Sequence, residues 1–476
     1  MKRILFFLSF SIFVLSSCQE TKIENSVQVT ILHINDVYEI APINKGKEGG
    51  YARFAYLLDS IKIQNPNTIS VHAGDFLSPS LIGNLKDENG KKIKGRHMIE
   101  VMNASGLDYV TFGNHEFDIK ENELLERLSE SKTKWISSNV YHRLDSTQVV
   151  PFESNGVVIP KTEVVEFINN DDTFKLGIIA VTLPFNQKSF VYYRDYELVI
   201  EQILDTISAD KVVLLSHLER EDDKLMAKRF PMIPLIMGGH DHYHFIDTMG
   251  SSYVAKADAN LRTAWKHNLT YNFTSEKLTV ESELLNVNAS IPEKESVKKI
   301  VDRWLSFADQ KAQNDGYAMN KILWEGDSIW EIRETIVRAN QTNFGALVAN
   351  AMIDVSGADI ALLNSGSLRY DDQILSVITE GDILKALPFG GSISTSKISG
   401  NDLIVFLESG LDINKGTGGY LQIPNVKMEK GIYWLSGSEI EKAKMYSVVT
   451  SSFMASGREN NLEDLKDYDW ETQKKI

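Results

Sequence analysis

The 476-residue sequence has few features that would cross-link it or bind it to nucleic acid. Its one cysteine, Cys18, excludes an intrachain disulfide bond. Lys and Arg number 50 against 65 Asp and Glu, so the net charge is -15 and no basic stripe is available for a nucleic acid polymer. That charge would repel a phosphate substrate unless bound cations reversed its sign locally. There is no internal repeat or low-complexity tract, and the length predicts two or three globular domains.

The N-terminal segment has the organisation of a secretory signal. Two basic residues precede an apolar run, Ile4 to Leu15, that is too short for a transmembrane helix. The next residues, up to Cys18, resemble a bacterial lipobox, which implies cleavage before Cys18 and lipidation of its sulfur. We predict a signal peptide at 1–17, a tether at 18–26, and a protein exported across the inner membrane and lipid-anchored in the cell envelope, periplasmic or at the cell surface. The alternative is an ordinary secretory signal with an incidental cysteine.

Five apolar, strand-like runs each end at a cluster of Asp, Asn or His. The runs are ILHIND (31–36), ISVHAGD (69–75), YVTFGNHEFD (109–118), VVLLSH (212–217) and PLIMGGHDH (234–242). In open α/β sheets ligands bind just outside the carboxyl ends of the strands, so these five ends predict one metal centre. Carboxylate, amide and imidazole donors together suit Zn, Mn, Fe or Co rather than Ca. A carboxylate between two cations would give the metal pair, roughly 3.5–4 Å apart, that phosphatases use.

The order of these signals predicts a layered α/β protein. Strand and helix signals alternate over residues 27–290, which predicts helices packed on sheets. Residues 291–314 have the apolar stripe of one long charged helix, which we assign to a linker at 291–324. A second α/β unit follows at 325–476.

The motifs resemble those of the calcineurin-like metallophosphoesterases and, among them, the bacterial and animal 5′-nucleotidases. The C-terminal half is similar to that family's nucleotide-specificity domain. The similar segments are TNFGALVANAM (342–352), GADIALLNSGSLR (357–369), ITEGDILKALPFGG (378–391) and GGYLQ (418–422). The resemblance implies a four-layer α/β/β/α sandwich, followed by a smaller α/β domain that is joined to it by the long helix.

The resemblance also implies roles for individual residues. Two metal ions would share Asp75 as a bridging ligand. The other implied ligands are Asn114, His217 and His240 for one ion, and Asp36 and His242 for the second. His115, oriented by Asp118, would contact the phosphate and stabilise the charge that develops on the leaving side. The implied nucleotide-binding residues are Arg338, Asn364, Arg369 and Phe389, the last of which could instead be a core aromatic beside Pro388.

Two positions depart from the family pattern. The first motif of the family is D-x-H, but here Tyr38 stands where the histidine is expected. The phenol could ligate Fe(III) as a phenolate, or the site could have one protein ligand fewer and a water in its place. We favour the second alternative, because a tyrosine in place of a histidine need not bring a donor atom to the same distance from the metal. Near the C terminus, Ser456 to Leu462 replaces a loop that usually carries a second stacking aromatic, so the base sandwich is expected to be incomplete.

The sequence therefore predicts a metal-dependent phosphohydrolase that cleaves phosphate monoesters. A 5′-nucleotidase acting on extracytoplasmic nucleotides by attack of a metal-bound hydroxide is favoured. The enzymatic alternatives are a 2′,3′-cyclic nucleotide phosphodiesterase and a nucleotide-sugar pyrophosphatase. The non-enzymatic alternative is a lipoprotein that binds a nucleotide or sugar phosphate at a degraded metal site. The predicted partners are this substrate and, through Cys18, the membrane, with no nucleic acid polymer and no obligate protein partner.

Overall fold

The computed structural model describes residues 25–185, 187–370 and 372–475. The predicted signal peptide, most of the tether and the lipidation site at Cys18 lie outside these residues. None of the helices within the described part of the chain is long and apolar enough to cross a membrane.

The N-terminal half is built around two six-stranded sheets. In the first, three parallel pairings join Ser26–Ile34, Thr68–His72, Tyr109–Val110 and Lys134–Trp135 in that order, and the antiparallel hairpin Thr263–Asn272 and Lys277–Asn286 extends the other side. In the second, the order is Phe245–Met249, Ser252–Lys256, Leu235–Gly238, Lys211–His217, Asp172–Thr182 and Thr162–Asn169, with the four inner strands parallel. Short strands at Val140–Arg143, Val149–Val150, Glu153–Ser154, Val157–Val158 and Val191–Tyr193 lie outside both sheets.

The two sheets pack face to face, and helices cover their outer faces. Val29 and Ile31 of the first sheet share a core with Ile178 and Val213 of the second. The outer face of the first sheet packs on helices Tyr51–Gln64, Arg96–Ser105 and Glu121–Glu130, and that of the second packs on Tyr196–Leu204 and Arg220–Arg229. Both faces of the central strands are buried, which is why their sequences are continuous apolar runs. The predicted four-layer α/β/β/α sandwich is confirmed.

The long helix runs over Glu295–Asn314, four residues later at its start than the sequence indicated. Its apolar stripe, which includes Val297, Val301 and Trp304, is buried in the core that the outer helices of the first sheet share. The helix therefore packs on Tyr51–Gln64 and Arg96–Ser105, and it does not stand free between two units.

The C-terminal unit is a smaller α/β domain around a five-stranded sheet. The strand order is Leu421–Gln422, Ile360–Asn364, Met445–Ser451, Ser392–Ser399 and Glu471–Lys475. Alternate residues of Ile360–Asn364 face opposite cores, so helix Gly400–Glu408 packs on one face and helix Asn343–Ser356 on the other. The unit also contains the strand pair Ile322–Glu331 and Gln373–Thr379, the three strands Val426–Glu429, Ile432–Leu435 and Ser438–Glu439, and short helices that include Glu334–Val337, Glu380–Ala386 and Ser452–Ala455.

Candidate metal centre

The six predicted metal ligands come together at one edge of the sandwich. Each lies in or just after a strand of one of the two sheets. The first sheet contributes Asp36, Asp75 and Asn114, and the second contributes His217, His240 and His242. The carboxyl ends of both parallel strand sets therefore meet at the same edge, as the five strand ends in the sequence suggested.

The backbone at this edge is strained. Asp36, Asp75, His240 and His242 all have positive φ, between 51° and 84°. That region costs a residue with a β-carbon on the order of 1–3 kcal/mol, and it persists only where surrounding contacts fix it. Here the N–H of Asp36 donates to the carbonyl of Gly74 at 3.1 Å, and the N–H of His240 donates to Asp36 Oδ2 at 2.8 Å. The side chains of the ligands are thereby aimed inward by the loops that carry them.

The donor atoms fall into two groups that have Asp75 in common. Ligand atoms of Asp75, His217 and His240 all lie within 4.8 Å of one another, and so do those of Asp36, Asp75 and His242. Asn114 Oδ1 adds to the first group, because it lies 3.2 Å from His217 Nε2 and 3.0 Å from His240 Nδ1. A shared carboxylate between two donor sets is the arrangement that a bridged metal pair requires.

The charges and unpaired atoms of this cluster fit divalent cations. Asp36 Oδ2 accepts two hydrogen bonds, whereas its buried Oδ1 has no hydrogen-bond partner and lies 3.4 Å from His242 Nε2. Burial alone would raise the pKa of Asp36, but nearby His242 and His217 hold it below its usual range. Asp75 is likewise buried, and His217 and His115 hold its pKa low against the effect of burial. Two buried, ionised carboxylates with an orphaned oxygen and imidazole donors are what a Zn, Mn, Fe or Co site needs.

His217 is oriented by a main-chain contact. Its Nδ1 lies 2.6 Å from the carbonyl oxygen of Ala73, so Nδ1–H donates there and Nε2 points into the cluster. Fixing the second nitrogen in this way is the usual support for a metal-binding histidine. Burial alone would lower the pKa of His217, but the carboxylate of Asp75 raises it to about 9. In the metal-free cluster this imidazole therefore carries a proton that a cation would have to displace.

Tyr38 reaches the cluster. Its hydroxyl donates to Asp75 Oδ2 at 3.1 Å and lies 3.2 Å from His242 Nε2, and the residue is only 8% exposed. The tyrosine side chain therefore does reach the cluster, contrary to the reason for which a site with one protein ligand fewer was favoured. Burial and the charge of Asp75 raise the pKa of Tyr38 well above its usual value, so the ring is a neutral phenol in this arrangement.

His115 stands beside the metal cluster at the start of the short 3₁₀ helix His115–Asp118. Its Nδ1 donates to Asp118 Oδ2 at 2.7 Å, and its backbone N–H donates to Asp75 Oδ1 at the same distance. Burial alone would lower the pKa of His115, but Asp118 and Asp75 raise it. Nη2 of Arg369, from the C-terminal unit, lies 3.2 Å from His115 Nε2. The two units therefore meet at this imidazole.

The predicted nucleotide-binding residues of the C-terminal unit differ in their contacts and in their exposure to solvent. Arg338 forms an ion pair with Glu334, and Arg369 Nη1 lies 3.6 Å from the same carboxylate. Asn364 donates to Glu459 Oε2 at 2.6 Å. Phe389 is 53% exposed, so it is not the core aromatic that was the alternative, and none of the ring–ring contacts among the described residues involves it.

Known proteins share both halves of this arrangement. The model of the calcineurin-like phosphoesterase family matches residues 29–244, and that of the 5′-nucleotidase C-terminal domain matches residues 326–466. The chain belongs to the 5′-nucleotidase family. It is therefore a metal-dependent phosphoesterase with a metallophosphoesterase domain and a 5′-nucleotidase C-terminal domain.

Relatives in this family are distant in sequence. The trifunctional nucleotide phosphoesterase protein YfkN of Bacillus subtilis is 22% identical over 90% of this chain, which spans only 32% of YfkN. The snake venom 5′-nucleotidase of Naja atra is 24% identical over 91% of this chain and 90% of its own length. The crystal structure of a 5′-nucleotidase precursor from Thermus thermophilus has a TM-score of 0.73 at 22% identity, over 94% of this chain and 93% of that chain. The last likeness shows that the fold is shared.

Glu116 supports the metal centre of this 5′-nucleotidase family member, and it was not predicted from the sequence. Its fully buried carboxylate accepts from the backbone N–H groups of Asp75, Phe76, Leu77 and Gly113 at 2.6–3.1 Å. It thus clamps the loop of Asp75 to the loop of Asn114. Those loops touch so closely that a β-carbon at Gly113 would overlap the carboxylate of Asp75. The acidic residue directly after GNH was the available signal.

A second supporting group lies beneath the histidine ligands. Lys256 is fully buried, and its Nζ donates to the carbonyl of Leu218 at 2.6 Å and to Asp241, and forms an ion pair with Asp223 Oδ2 at 2.9 Å. Leu218 follows the ligand His217, and Asp241 separates the other two histidine ligands. One buried ammonium therefore ties together the loops that supply all three. Nothing in the local sequence around Lys256 indicates this role, because its partners are 15 to 38 residues away.

Proposed function

We propose that this phosphoesterase hydrolyses phosphate monoesters, and 5′-nucleotides in particular, at a centre of two divalent cations. The observation that carries the proposal is the shared position of Asp75 in both donor groups. Asn114, His217 and His240 would hold one cation with Asp75, and Asp36 and His242 would hold the other. Zn, Mn, Fe or Co would suit these donors. When bound, such cations supply Lewis-acid charge and lower the pKa of a coordinated water, which provides a nucleophile near neutral pH.

The remaining side chains would act on the substrate. His115 is placed to stabilise charge on the phosphate and the leaving oxygen, because Asp118 orients it and favours its cationic form. Arg369 approaches the same imidazole from the C-terminal unit, so a phosphate next to His115 would also lie near a guanidinium. Phe389 presents an exposed ring on which a base could stack. The names of the relatives, which include 5′-nucleotidases, support a nucleotide substrate.

We further propose the organisation and location of the protein. The catalytic unit would span residues 27–290 and the nucleotide-binding unit 325–476, with 291–324 between them. The basic, apolar and small residues of the first 17 positions would direct export. A lipid on Cys18 would then hold the enzyme at the membrane of the cell envelope, where it would act on extracytoplasmic nucleotides. Palmitate labelling of the wild type but not of Cys18→Ala would test the anchor.

The function is tested by phosphate release from a substrate panel. Purified protein, loaded in turn with Zn²⁺, Mn²⁺, Co²⁺ or Fe²⁺, is given nucleoside 5′-monophosphates, a simple phosphomonoester, a 2′,3′-cyclic nucleotide and a nucleotide sugar. We expect the highest kcat/KM for a 5′-monophosphate and no release after chelation. Turnover of the cyclic nucleotide or the nucleotide sugar with no turnover of monophosphates would contradict the proposal. Binding of monophosphates without turnover in any metal would contradict it as well.

A further inference from the structure

Three of the four residues predicted to hold the nucleotide are already engaged by carboxylates. Arg338 and Arg369 face Glu334, and Asn364 donates to Glu459. A carboxylate next to an anion-binding arginine changes which substrates the arginine can attract, because it offsets the positive charge and repels a second anion.

Glu334 lies between the arginines and the metal cluster. It begins the short helix Glu334–Val337, and one turn of chain separates it from Arg338. Its Oε1 contacts both guanidinium groups, while its Oε2 lies 3.8 Å from Nδ1 of the predicted metal ligand His242. Only 14% of its side chain is exposed, so solvent screens this charge weakly.

Glu459, in the loop from Ser456 to Leu462, places a second carboxylate next to a predicted nucleotide-binding residue. The loop lacks the stacking aromatic, and its amide side chains bond within the unit: Asn461 donates to Asn414 Oδ1 at 2.8 Å. Glu459 turns its carboxylate toward Asn364 and lies close enough to Arg338 to feel its charge. Glu459 bonds to an amide, whereas Glu334 pairs with two guanidinium groups, so we expect the contribution of Glu459 to be the weaker one.

We propose that Glu334, assisted by Glu459, is a specificity-determining residue that selects phosphate esters whose leaving group carries no second phosphate. The inference rests on the proposed function, because it concerns the leaving-group side of the same metal centre. Glu334 offsets one of the two arginine charges there, and Glu459 adds a second negative charge near Arg338. A monoester of an uncharged alcohol, such as a nucleoside, brings no further anion to that side. A nucleoside diphosphate brings a leaving group with its own phosphate, which Glu334 repels.

The test compares two substrates that differ by one phosphate. The kcat/KM values for a nucleoside 5′-monophosphate and for the matching 5′-diphosphate are measured in the metal-loaded wild type, Glu334→Gln and Glu459→Gln. Glutamine keeps the shape of the side chain and removes its charge. The control is Glu325→Gln, which makes the same change at an exposed residue on strand Ile322–Glu331. Melting temperatures verify that each variant is folded.

We expect the wild type to prefer the monophosphate. The monophosphate-to-diphosphate ratio of kcat/KM should fall about tenfold in Glu334→Gln, less in Glu459→Gln, and not at all in the control. An unchanged ratio in folded Glu334→Gln, or a wild type that prefers the diphosphate, would overturn the inference. If Glu334→Gln does not fold, the Glu459→Gln ratio decides in the same way. Failure of the wild type to hydrolyse either substrate in any of the metals would instead overturn the proposed function.

Discussion

Replacing Asp75 by asparagine is the sharpest perturbation of the proposed metal pair. The substitution keeps the size of the side chain and one carbonyl oxygen, so the backbone N–H of His115 retains its acceptor. It removes the charge that both donor groups share and the second acceptor oxygen, which takes the hydroxyl of Tyr38 at 3.1 Å. We therefore expect both metal sites to weaken together.

The size of the effect follows from the spacing of the donors. Taking 4.8 Å, the limit on the separation of the ligand atoms, as the distance between two unit charges gives about 3.5 kcal/mol at an effective dielectric constant of about 20. If that stabilisation is lost in the transition state, kcat/KM falls by about 300-fold. The loss of a second metal would make the fall larger.

The assay is phosphate release at saturating metal, accompanied by a count of the metal bound per chain. The control is Asp302→Asn on the exposed face of the helix Glu295–Asn314. Asp302 is 55% exposed in its side chain and loses only an ion pair with Lys298, so activity should be unchanged. Turnover by Asp75→Asn within a few-fold of the wild type would refute the shared-ligand reasoning.

Three further predictions concern the residues around the bridge. His115→Ala should lower kcat by about a hundredfold or more with little change in KM, because stabilisation of developing charge acts on the rate; a raised KM with unchanged kcat would make His115 an anchor. The Tyr38→His variant should retain its metal more tightly against a mild chelator, because an imidazole replaces a neutral phenol. A visible charge-transfer band in the iron-loaded wild type that vanishes in Tyr38→Phe would instead establish a phenolate ligand. Metal affinity should rise with pH, up to about tenfold per unit, until about pH 9 and then level off, because a cation must displace the proton of His217; affinity independent of pH between 7 and 9 by calorimetry would contradict this.

The sequence was most informative where function depends on strand ends. Asp36, Asp75, Asn114 and the three histidines each follow an apolar run, and the topology of parallel sheets brings such ends to one edge. Their convergence could therefore be predicted without knowing how the two sheets pack. The four layers were predictable through the family resemblance, whereas alternation alone indicated only helices packed on sheets.

The contacts that the sequence could not supply are long-range pairings. Lys256 and Asp223 are 33 positions apart and show no shared motif, and the position of Glu334 against His242 depends on how the C-terminal unit docks. The antiparallel hairpin of the first sheet begins with the strand Thr263–Asn272. This strand contains several polar residues although it is mostly buried, so its hydrophobic pattern is weak. The sequence shows the apolar stripe of the long helix but not the surface that this stripe covers. Hydrophobic periodicity indicates which face of a helix is buried, and it does not identify the elements against which that face packs.

In the proposed mechanism, two cations share the carboxylate of Asp75 and both are needed for hydrolysis. The direct test is a titration of the metal-free protein with Mn²⁺ or Zn²⁺, in which the metal bound per chain and the release of phosphate from a nucleoside 5′-monophosphate are measured on the same samples. We expect two bound ions per chain and activity that appears as the second site fills. Full activity with one ion bound, or activity that survives complete removal of metal, would contradict it.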